Sequence, residues 1–570
     1  MKRIVSLILS LCLIFSMVAC SDTGNSNSGG DADNLNNGSS NLDGNPTTNA
    51  GFEVIFFDIE NGADGTHYDG VNNDGTLGYS GVKPADCYMI KTGNTEILVD
   101  AGFQSQTPIT EVLKQRISKI YQENVIKKIE QYCTDGVLEY LIVTHGDYDH
   151  IAGLAVDGGV LDYFSNGGKK INTIIDFDSD LVVSLSDPEK DPIKGKGNFF
   201  DNRATIDLYR QKRDAMISNN GTIHIPASAF FLKEDFLKDN TMVNAMPDMY
   251  INSYYEKDKD ENLTINASLI KNFYYFSDDI IYHDDCDIET KKPIEDNLLF
   301  ESQYKDLDLS FGTLKNENER YYFSIPLENN TELRILYNWF YDHIYNHSYN
   351  SQNRNNISVC FSVVSGNNKF VSFGDLGLGE TGLINYYKDT EILKNVTCFK
   401  ASHHGSTTNG ENSKNLFQLM QAKIVIVPGV AQITRKILEN NKEDQQRPDT
   451  TDPIYSGVKS TAVIDLDFFK NVKAGGENTQ IYCTQIARLA KAEKGFSLIA
   501  GSLYGDISFK TYNNTITVDC SNKGEIEGYV SGVSDTTKHF NFSNIKDGKL
   551  LSYNETEYYK AIYESKGRIE

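Results

Sequence analysis

The sequence predicts an α/β fold in which sheets are layered with helices. Strand patterns are followed by helix patterns twice along the chain, which is typical of this class. Hydrophobic residues make up 39% of the 570 residues and charged residues 23%, so the chain can bury a sizeable core. A third observation indicates where functional residues lie on this fold. A strongly apolar strand, Leu138–Thr144, is followed directly by a segment rich in His and Asp.

The first half of the predicted fold begins after a polar N-terminal region. An apolar run predicts a buried strand, and two short runs joined by Thr92-Gly93-Asn94 predict a hairpin. Apolar residues at helical spacing then predict one long helix. In chain order these elements are strand Glu53–Asp58, hairpin strands Cys87–Lys91 and Glu96–Val99, helix Pro108–Cys133 and strand Leu138–Thr144.

The second half repeats these patterns after residues 161–350, a stretch that is far longer than one strand-and-helix unit needs. We predict that this stretch is an insertion beside the functional loops, with helices at Asn202–Ser218 and Ser228–Lys238. The later elements are strands Ile357–Val364, Lys369–Phe373, Val396–Lys400 and Lys423–Val427, helix Asn415–Met420, and a closing hairpin of Gly505–Lys510 and Thr515–Val518.

The N-terminus predicts export and a lipid anchor. Lys2 and Arg3 precede the apolar run Ile4–Ala19, which is typical of a signal peptide over residues 1–19 and is short for a transmembrane helix. Cys20 follows a small residue, as the lipidated cysteine of a bacterial lipoprotein does. Residues 20–50 are rich in Asn, Gly and Ser and predict a disordered tether. We therefore expect the protein in the cell envelope, outside the cytoplasm and anchored to a membrane through Cys20.

Composition restricts the class of partner. Lys and Arg number 54 against 79 Asp and Glu, a net charge of −25, which argues against a broad basic face for unspecific binding of nucleic acid or anionic membranes. The cysteines after Cys20 form no disulfide framework, so buried free thiols are expected. No feature of the sequence identifies a protein partner.

The segment Tyr140–His150 carries the most informative pattern. Its strand delivers His145, Asp147, Asp149 and His150 into one short loop. Four ligand-type side chains within six residues can surround a cation where the loop coils tightly, and imidazole with carboxylate suits Zn, Mn or Fe. We therefore predict a metal site at the carboxyl end of this strand.

The same segment resembles the His-x-His-x-Asp-His motif of the metallo-β-lactamase superfamily, with Asp147 in place of the second histidine. This variant is similar to the extracellular hydrolase domain of the DNA-uptake protein ComEC. The resemblance implies an αββα four-layer sandwich over residues 51–520, with the 161–350 insertion and a C-terminal extension at 521–570. The other segments that resemble this family are Phe57–Gly62, Ile97–Gly102, Asn356–Ser358, Ser372–Gly377, Lys400–Ser406, Tyr482–Thr484 and Gly505–Ile507.

Carried over residue by residue, the resemblance implies a centre for one or two divalent ions, Zn or Mn. His145 and Asp147 would hold one ion, and Asp149 and His150 the other, with Asp149 also the catalytic residue. Asp375 would bridge the two ions. No histidine clearly matches the usual third ligand of the first ion, which leaves the number of ions open.

The late histidine segment would complete the implied centre. Either His403 or His404 supplies the remaining ligand, and the sequence does not choose between them. Asp100 would orient a ligand histidine from behind. Ser402 and Ser406 would donate hydrogen bonds to substrate oxygens, or would only form the turn.

The resemblance implies a metal-dependent hydrolase that uses metal-bound hydroxide. Asp147 makes the donor set harder, which favours a phosphodiester such as extracellular DNA or RNA over a lactam as substrate. Two alternatives stay open: hydrolysis of another ester or a thioester, and a non-catalytic surface lipoprotein with a vestigial metal that binds glycan or protein through its aromatic residues. The substrate, the metal, the membrane, the oligomeric state and the role of residues 161–350 are not decided by the sequence.

Overall fold

A computed structural model describes most of the predicted domain. The described residues are 51–59, 85–103, 111–180, 203–231, 307–338, 354–377, 379–407, 410–431, 466–492, 495–502, 504–512 and 515–522, with short strands between 255 and 282 and between 525 and 550. The predicted signal peptide, Cys20 and the predicted tether lie outside the described residues, as does most of the predicted extension at 521–570.

The first of two large sheets has eight strands. They are β1 Gly51–Phe56, β2 Tyr88–Thr92, β3 Thr95–Val99, β4 Val137–Val143, β5 Lys170–Asp176, β6 Ile223–Pro226, β20 Ile507–Tyr512 and β21 Thr515–Cys520. Their order is β21-β20-β1-β2-β3-β4-β5-β6. Strands β3 to β6 run parallel, whereas the other neighbours are antiparallel. The carboxyl ends of the parallel strands therefore open at one edge, where α/β sheets bind their ligands.

The second sheet has nine strands, from β11 to β19 in sequence order. They are β11 Thr313–Glu317, β12 Arg320–Pro326, β13 Thr331–Leu336, β14 Phe361–Ser365, β15 Asn368–Ser372, β16 Cys398–Lys400, β17 Ile424–Ala431, β18 Gln480–Ala492 and β19 Gly495–Ser502. An antiparallel series up to β15 is followed by parallel strands β15 to β18. Two-stranded ribbons are formed by β7 Tyr255–Lys257 with β8 Leu263–Ile265, β9 Tyr275–Ser277 with β10 Ile280–Tyr282, β22 Glu525–Ile526 with β23 Lys538–His539, and β24 Ile545–Lys546 with β25 Lys549–Leu550.

The described helices connect the strands of the two sheets. Those with α-helical bounds are α1 Glu111–Ile120, α2 Ile126–Tyr132, α3 Tyr148–Ala155, α4 Val160–Phe164, α5 Arg203–Asn220, α6 Gly379–Tyr387, α7 Lys414–Met420 and α8 Leu466–Gly475. Helices α3 and α5 pack together after strands of the first sheet, and α7 packs on α6 and α8 after strands of the second. Each sheet therefore carries its own set of helices.

The two sheets meet across a buried aromatic core. Phe56 and Tyr88 of the first sheet both pack against Phe370 of the second, with ring centroids 6.1 and 6.0 Å apart. The Tyr88 hydroxyl and the Ser372 hydroxyl are 2.8 Å apart and hydrogen-bonded, which satisfies two buried polar groups inside this core. The architecture confirms the expected αββα sandwich.

Two predicted helices differ from the structure. The helix predicted at Pro108–Cys133 is described from Glu111, and a π-helical turn, Tyr121–Val125, separates α1 from α2. The helix predicted at Ser228–Lys238 is wrong over its described part, because Ala227–Phe231 is a short 3₁₀ turn. There the Ser228 side chain and backbone N–H both donate to a buried carboxylate, and such tertiary contacts override a helical pattern.

Parts of the segment predicted as an insertion belong to the two sheets. Strands β5 and β6 extend the first sheet, and β11 to β13 begin the second. The residues of 161–350 that form these five strands are therefore part of the sandwich.

The described cysteines are free thiols, as predicted. Cys87, Cys133, Cys360, Cys398 and Cys483 are buried, and Cys520 is partly buried. Cys286 lies outside the described residues. None of the described helices is long and apolar enough to cross a membrane.

Candidate metal centre

Loops from both sheets meet at the edge formed by the carboxyl ends of the parallel strands. Asp100 follows β3 and His145–His150 follows β4 in the first sheet. Asp375 follows β15 and Ser402–Ser406 follows β16 in the second. The sequence motifs therefore lie together because the topology directs these strand ends to one place.

Four of the predicted ligands converge into what we name the ligand cluster: Asp149, His150, Asp375 and His404. Each offers one atom within 4.8 Å of the others, and all four side chains are buried. His150 Nε2 lies 3.1 Å from Asp375 Oδ2. His404 Nε2 lies 3.2 Å from Asp149 Oδ2 and 3.3 Å from Asp375 Oδ2. Two imidazoles and two carboxylates form a donor set that suits a divalent transition metal.

The loop after β4 is shaped by an early helix start and by a glycine. Asp147 is extended at the N-cap of α3, so Asp149 and His150 lie in the first turn of that helix. A Cβ on Gly146 would come within 2.8 Å of Ile206 Cδ1 and 3.0 Å of Phe177 Cζ, so a larger residue would displace the loop.

His403 and His404 are separated by their backbone conformation. Both residues have left-handed φ angles, 46° and 52°, which non-glycine residues adopt only at a cost. Their rings lie 6.3 Å apart at an interplanar angle of 58°. His404 joins the ligand cluster, and its Nδ1 donates to the Pro428 carbonyl oxygen at 3.1 Å. His403 is outside the cluster, with its Nδ1 2.9 Å from Glu411 Oε1 and its side chain 16% exposed.

His145 and Asp147, expected at the first ion, lie beside the ligand cluster. The His145 ring is fully buried with its centroid 4.0 Å from that of His150. Its Nε2 has no hydrogen-bond partner among the described residues and lies 3.9 Å from Asp147 Oδ2. These two side chains offer an imidazole and a carboxylate for a second ion, and no group of three or more His, Cys, Asp or Glu ligands among the described residues contains both.

Asp100 lies behind His150. Its Oδ2 is 2.7 Å from His150 Nδ1, while Thr144 donates from its backbone N–H and its hydroxyl to the two carboxylate oxygens, each at 2.7 Å. An Nδ1–H that donates to Asp100 leaves Nε2 as the lone-pair nitrogen, which is the tautomer that a metal requires.

The three buried histidines carry different charges in the metal-free protein. Burial and the charge of neighbouring His150 lower the pKa of His145 well below its usual value, so its imidazole is neutral. Burial also opposes a charge on His150 and His404, but the carboxylate of Asp375 and other acidic neighbours outweigh it and raise the pKa of both. A cation that binds at these histidines must therefore displace protons.

The carboxylates of the ligand cluster are held in the ionised form. Burial alone would raise the pKa of Asp149 and Asp375. The neighbouring imidazoles of His150 and His404 outweigh burial and keep the pKa of both carboxyls below the usual value. The cluster thus presents negative oxygens to any cation that enters.

Some buried donor atoms at this edge have no hydrogen-bond partner among the described residues, and a divalent cation would fit them. His150 Nε2 lies close to Asp375 Oδ2 without hydrogen-bond geometry, and it is buried without another partner among the described residues. His145 Nε2 is also buried without a hydrogen-bond partner among the described residues. Buried polar atoms are rarely left unsatisfied unless a water or an ion completes them, so this edge of the sheets fits a metal.

Ser402 and Ser406 lie in the turn that carries the histidines. Both are buried, and Ser402 Oγ has no hydrogen-bond partner among the described residues. The Asn412 side chain accepts from the Ser402 backbone N–H at 3.1 Å and donates to the backbone oxygens of Ser402 and Ser406 at 2.7 and 2.6 Å. The turn is therefore fixed through its backbone, and their role towards substrate stays a prediction.

Sequence reasoning missed three charged residues at the site: Asp86, Lys400 and Glu411. Asp86 and Lys400 are fully buried and form an ion pair. Glu411 is buried and holds His403. A single aspartate before a hairpin gives no signal in one sequence, although burial of a lysine at the end of an apolar strand could have been suspected from the run Val396–Lys400.

Part of the chain is similar to a known protein family. Residues 80–156 match the family model described as Metallo-beta-lactamase superfamily. A similar solved structure is that of the metallo-beta-lactamase fold protein YhfI from Bacillus subtilis, at 10% identity and a TM-score of 0.27, with 66% of this chain and 85% of that chain covered. No curated protein matches the chain. The family-model match and the two-sheet architecture together confirm the predicted fold class.

Proposed function

We propose that the protein is a metal-dependent hydrolase and that its centre is the ligand cluster. The observation that carries this proposal is the convergence of Asp149 and His150 from the first sheet with Asp375 and His404 from the second. A divalent cation bound there would supply Lewis acidity, lowering the pKa of water and stabilising negative charge on a substrate oxygen.

The protein's own side chains prepare this chemistry. Asp100 fixes the tautomer of His150, and the Pro428 carbonyl oxygen does the same for His404. Burial of the cluster removes competing water, so the charges of Asp149 and Asp375 act at low dielectric. We propose that His145 and Asp147 hold a second ion, next to the one bound by the ligand cluster.

His403 has a different proposed task from His404. Glu411 holds its ring through Nδ1, and its side chain is 16% exposed against 1% for His404. A partly exposed imidazole beside the ligand cluster is suited to contact a substrate oxygen. We therefore propose that His404 binds metal and His403 contacts substrate.

A phosphodiester is the proposed substrate class. Three carboxylates, Asp147, Asp149 and Asp375, make the donor set oxygen-rich, which suits a hard cation and phosphate oxygens. The net charge of −25 opposes tight unspecific binding of nucleic acid, so substrate would be drawn to the metals and a local groove. Extracellular DNA or RNA is consistent with the proposed location outside the cytoplasm.

The location itself remains a proposal that rests on the sequence. We propose that Cys20 carries the lipid and that the protein is anchored in the cell envelope. Incorporation of radiolabelled palmitate into the wild type and its absence from Cys20→Ser would support the anchor, whereas equal labelling of both would contradict it.

Metal analysis combined with a phosphodiesterase assay tests the function. The purified chain should contain at least one equivalent of Zn or Mn and should hydrolyse bis-p-nitrophenyl phosphate and nucleic acid, and a chelator should abolish both properties. Asp149→Ala should lower kcat/KM at least about 100-fold. The matched control is Asp157→Ala, because Asp157 is exposed near the same helix and pairs with Lys212.

Two outcomes would contradict the proposal. A fully metallated wild type that cleaves no phosphodiester would exclude this substrate class and favour another ester or a thioester. Fewer than one bound ion per chain after gentle purification would favour the non-catalytic lipoprotein.

A further inference from the structure

Behind the ligand cluster lies a buried ion pair that joins the two sheets. Lys400 ends β16 of the second sheet, and Asp86 lies just before β2 of the first. Both side chains are 0% exposed, and the Lys400 ammonium contacts Asp86 Oδ2. Fully buried lysines are rare and usually have a specific partner.

The Lys400 ammonium also contacts the second-sheet ligand loop. It donates to the Gly374 carbonyl oxygen at 3.0 Å and to Asp375 Oδ1 at 3.4 Å. The other oxygen, Asp375 Oδ2, is the one that faces His150 and His404. Lys400 thus occupies one carboxylate oxygen of Asp375 and leaves the other for the metal.

Asp86 contacts the remaining three ligands. Its Oδ1 lies 3.2 Å from His404 Nδ1, and its Oδ2 lies 3.8 Å from His150 Nδ1. Its backbone N–H donates to the Asp149 carbonyl oxygen at 2.8 Å. Together Asp86 and Lys400 therefore touch every member of the ligand cluster.

Stability alone gives a poor account of this pair. Removing two charges from water is unfavourable, and buried pairs can often be replaced by apolar residues without loss of stability. A positive charge next to Asp375 also repels a bound cation. The geometry suggests a role in arranging the ligands, since one charge comes from each sheet.

We propose that the Asp86–Lys400 pair is a positioning device that holds the four ligands in place before metal binds. The inference rests on the proposed metal centre but not on any substrate. Both residues act through Asp149, His150, Asp375 and His404 rather than as ligands of the ion held by these four side chains. The metal-free protein should therefore already have the two ligand loops joined.

The charge-neutral double variant Asp86→Asn/Lys400→Met tests this role, because each single change would leave one buried charge without its partner in the pair. The control is Lys128→Met/Asp506→Asn, which removes another Lys–Asp pair, 2.7 Å between Nζ and Oδ1, with Lys128 4% exposed. In chelator-treated protein, hydrogen exchange is measured at the amides of residue 86, Ala101 and Gly102, which donate to the carbonyl oxygens of Asp149, His150 and residue 86.

We expect these amides to exchange at least about tenfold faster in the site double variant than in the wild type or the control variant. The affinity for Zn and for Mn, measured by chelator competition, should fall about 10- to 100-fold, as for residues behind metal ligands. Unchanged exchange and affinity, or equal changes in the control variant, would overturn the proposal.

The wild type provides a test that does not depend on whether the variant folds. Without metal, its three amides should already be protected, and added Zn should slow their exchange less than about threefold. Amides that become protected only when metal is added would overturn the proposal. The exchange data need no substrate, so they decide the positioning role even if the protein hydrolyses nothing.

Discussion

Two buried charge clusters lie at the same edge of the first sheet, and they differ in how their charges are satisfied. One is the ligand cluster at the ends of β4, β15 and β16. The other, named the Arg213 cluster, is formed by residues at and after the end of β5 together with one residue of α5 and one of β6. Its members are Asp176, Ser179, Asp180, Arg213 and His224.

The Arg213 cluster is complete without any added group. Arg213 Nη1 donates to Asp176 Oδ2 at 3.2 Å and to Ser179 Oγ at 2.6 Å, and Nη2 donates to both oxygens of Asp180 at 2.8 and 2.9 Å. His224 Nε2 lies 3.1 Å from the other oxygen of Asp176. A guanidinium offers five donors in a planar fork, which is enough to satisfy these carboxylates.

The ligand cluster lacks this completeness. Its permanent cation is Lys400, an ammonium whose three donors lie behind the ligands, whereas His150 and His404 lose their charge when they bind a metal ion. His150 Nε2 has no hydrogen bond among the described residues, nor has His145 Nε2 beside it. The comparison shows that burial and acidity do not identify a metal centre. A metal centre is distinguished by donor atoms that have no hydrogen-bond partner within the protein.

Removing Arg213 should have the largest effect on stability. Arg213→Met removes the guanidinium that pairs with the buried carboxylate of Asp176 and with the partly buried carboxylate of Asp180, so the free energy of unfolding should fall by about 3–5 kcal/mol. Urea unfolding of the metal-free protein measures this change. Metal affinity of the folded variant should stay within about threefold of the wild type, since the Arg213 cluster lends no donor to the centre.

Arg210→Met is the matched control for this prediction. Arg210 pairs with Asp180 at 2.6 Å but is 26% exposed, so its removal should cost less than about 1 kcal/mol. A large loss of metal from folded Arg213→Met would show that the two clusters are coupled, and the comparison would then fail.

Exchanging the adjacent histidines should separate metal binding from substrate contact. His404→Asn should weaken Zn affinity at least about 100-fold, because it removes a ligand, whereas His403→Asn should change it less than about threefold. Asparagine tolerates the left-handed φ of both positions, so each change isolates the ring.

Chelator competition and kcat/KM are measured for both variants. His403→Asn should retain its metal but lose activity about tenfold or more, through lost contact with substrate. Equal loss of metal from the two variants would contradict the separate tasks proposed for the two rings.

The sequence predicted the early part of the site because it is local. His145 to His150 follow a recognisable apolar strand, and the structure brings Asp149 and His150 into the ligand cluster directly. The choice between His403 and His404 could not be made, since it depends on two consecutive left-handed residues and on Glu411 eight positions later. No pattern in one sequence reports such a turn.

Elements fixed by distant contacts were predicted less well. The strand predicted at Ile357–Val364 begins only at Phe361, because Arg354–Ile357 forms a 3₁₀ turn before it. Strands β5 and β6 lay within the segment predicted as an insertion, where mixed polar and aromatic residues hide their place in the sheet. Asp86 was missed because its partner Lys400 is far away in sequence and in the other sheet.

Asp178 extends the comparison, because it lies next to the Arg213 cluster and receives hydrogen bonds from Ser228. The Ser228 hydroxyl donates to Asp178 Oδ1, and its backbone N–H donates to Oδ2 at 3.3 Å. Burial, assisted by the negative charges of Asp176 and Asp180, raises the pKa of Asp178 to about 8. This carboxyl is therefore protonated in the folded protein at neutral pH.

The sign of the resulting pH dependence follows from proton linkage. The folded pKa of Asp178 lies above the unfolded value of 3.8, so its stabilising contribution is complete below that value and is lost as the pH rises through about 8. Between pH 6 and 8 the wild type should lose about 2 kcal/mol through this group. Asp178→Asn cannot ionise and can keep both contacts with Ser228, so it should lack this loss.

Urea unfolding at several pH values, with chelator present throughout, measures the difference between wild type and Asp178→Asn. Taking the difference removes the titration of the metal-site histidines, which is common to both proteins. Ser228→Ala should retain the pH-dependent loss, because it removes a neighbour but not the carboxyl. Parallel stability curves for wild type and Asp178→Asn would mean that Asp178 is ionised and compensated. The negative charge of Asp178 would then be compensated within the protein, as the charges of the Arg213 cluster are. The carboxylates of the ligand cluster would still differ from it, because they are arranged to bind an added cation.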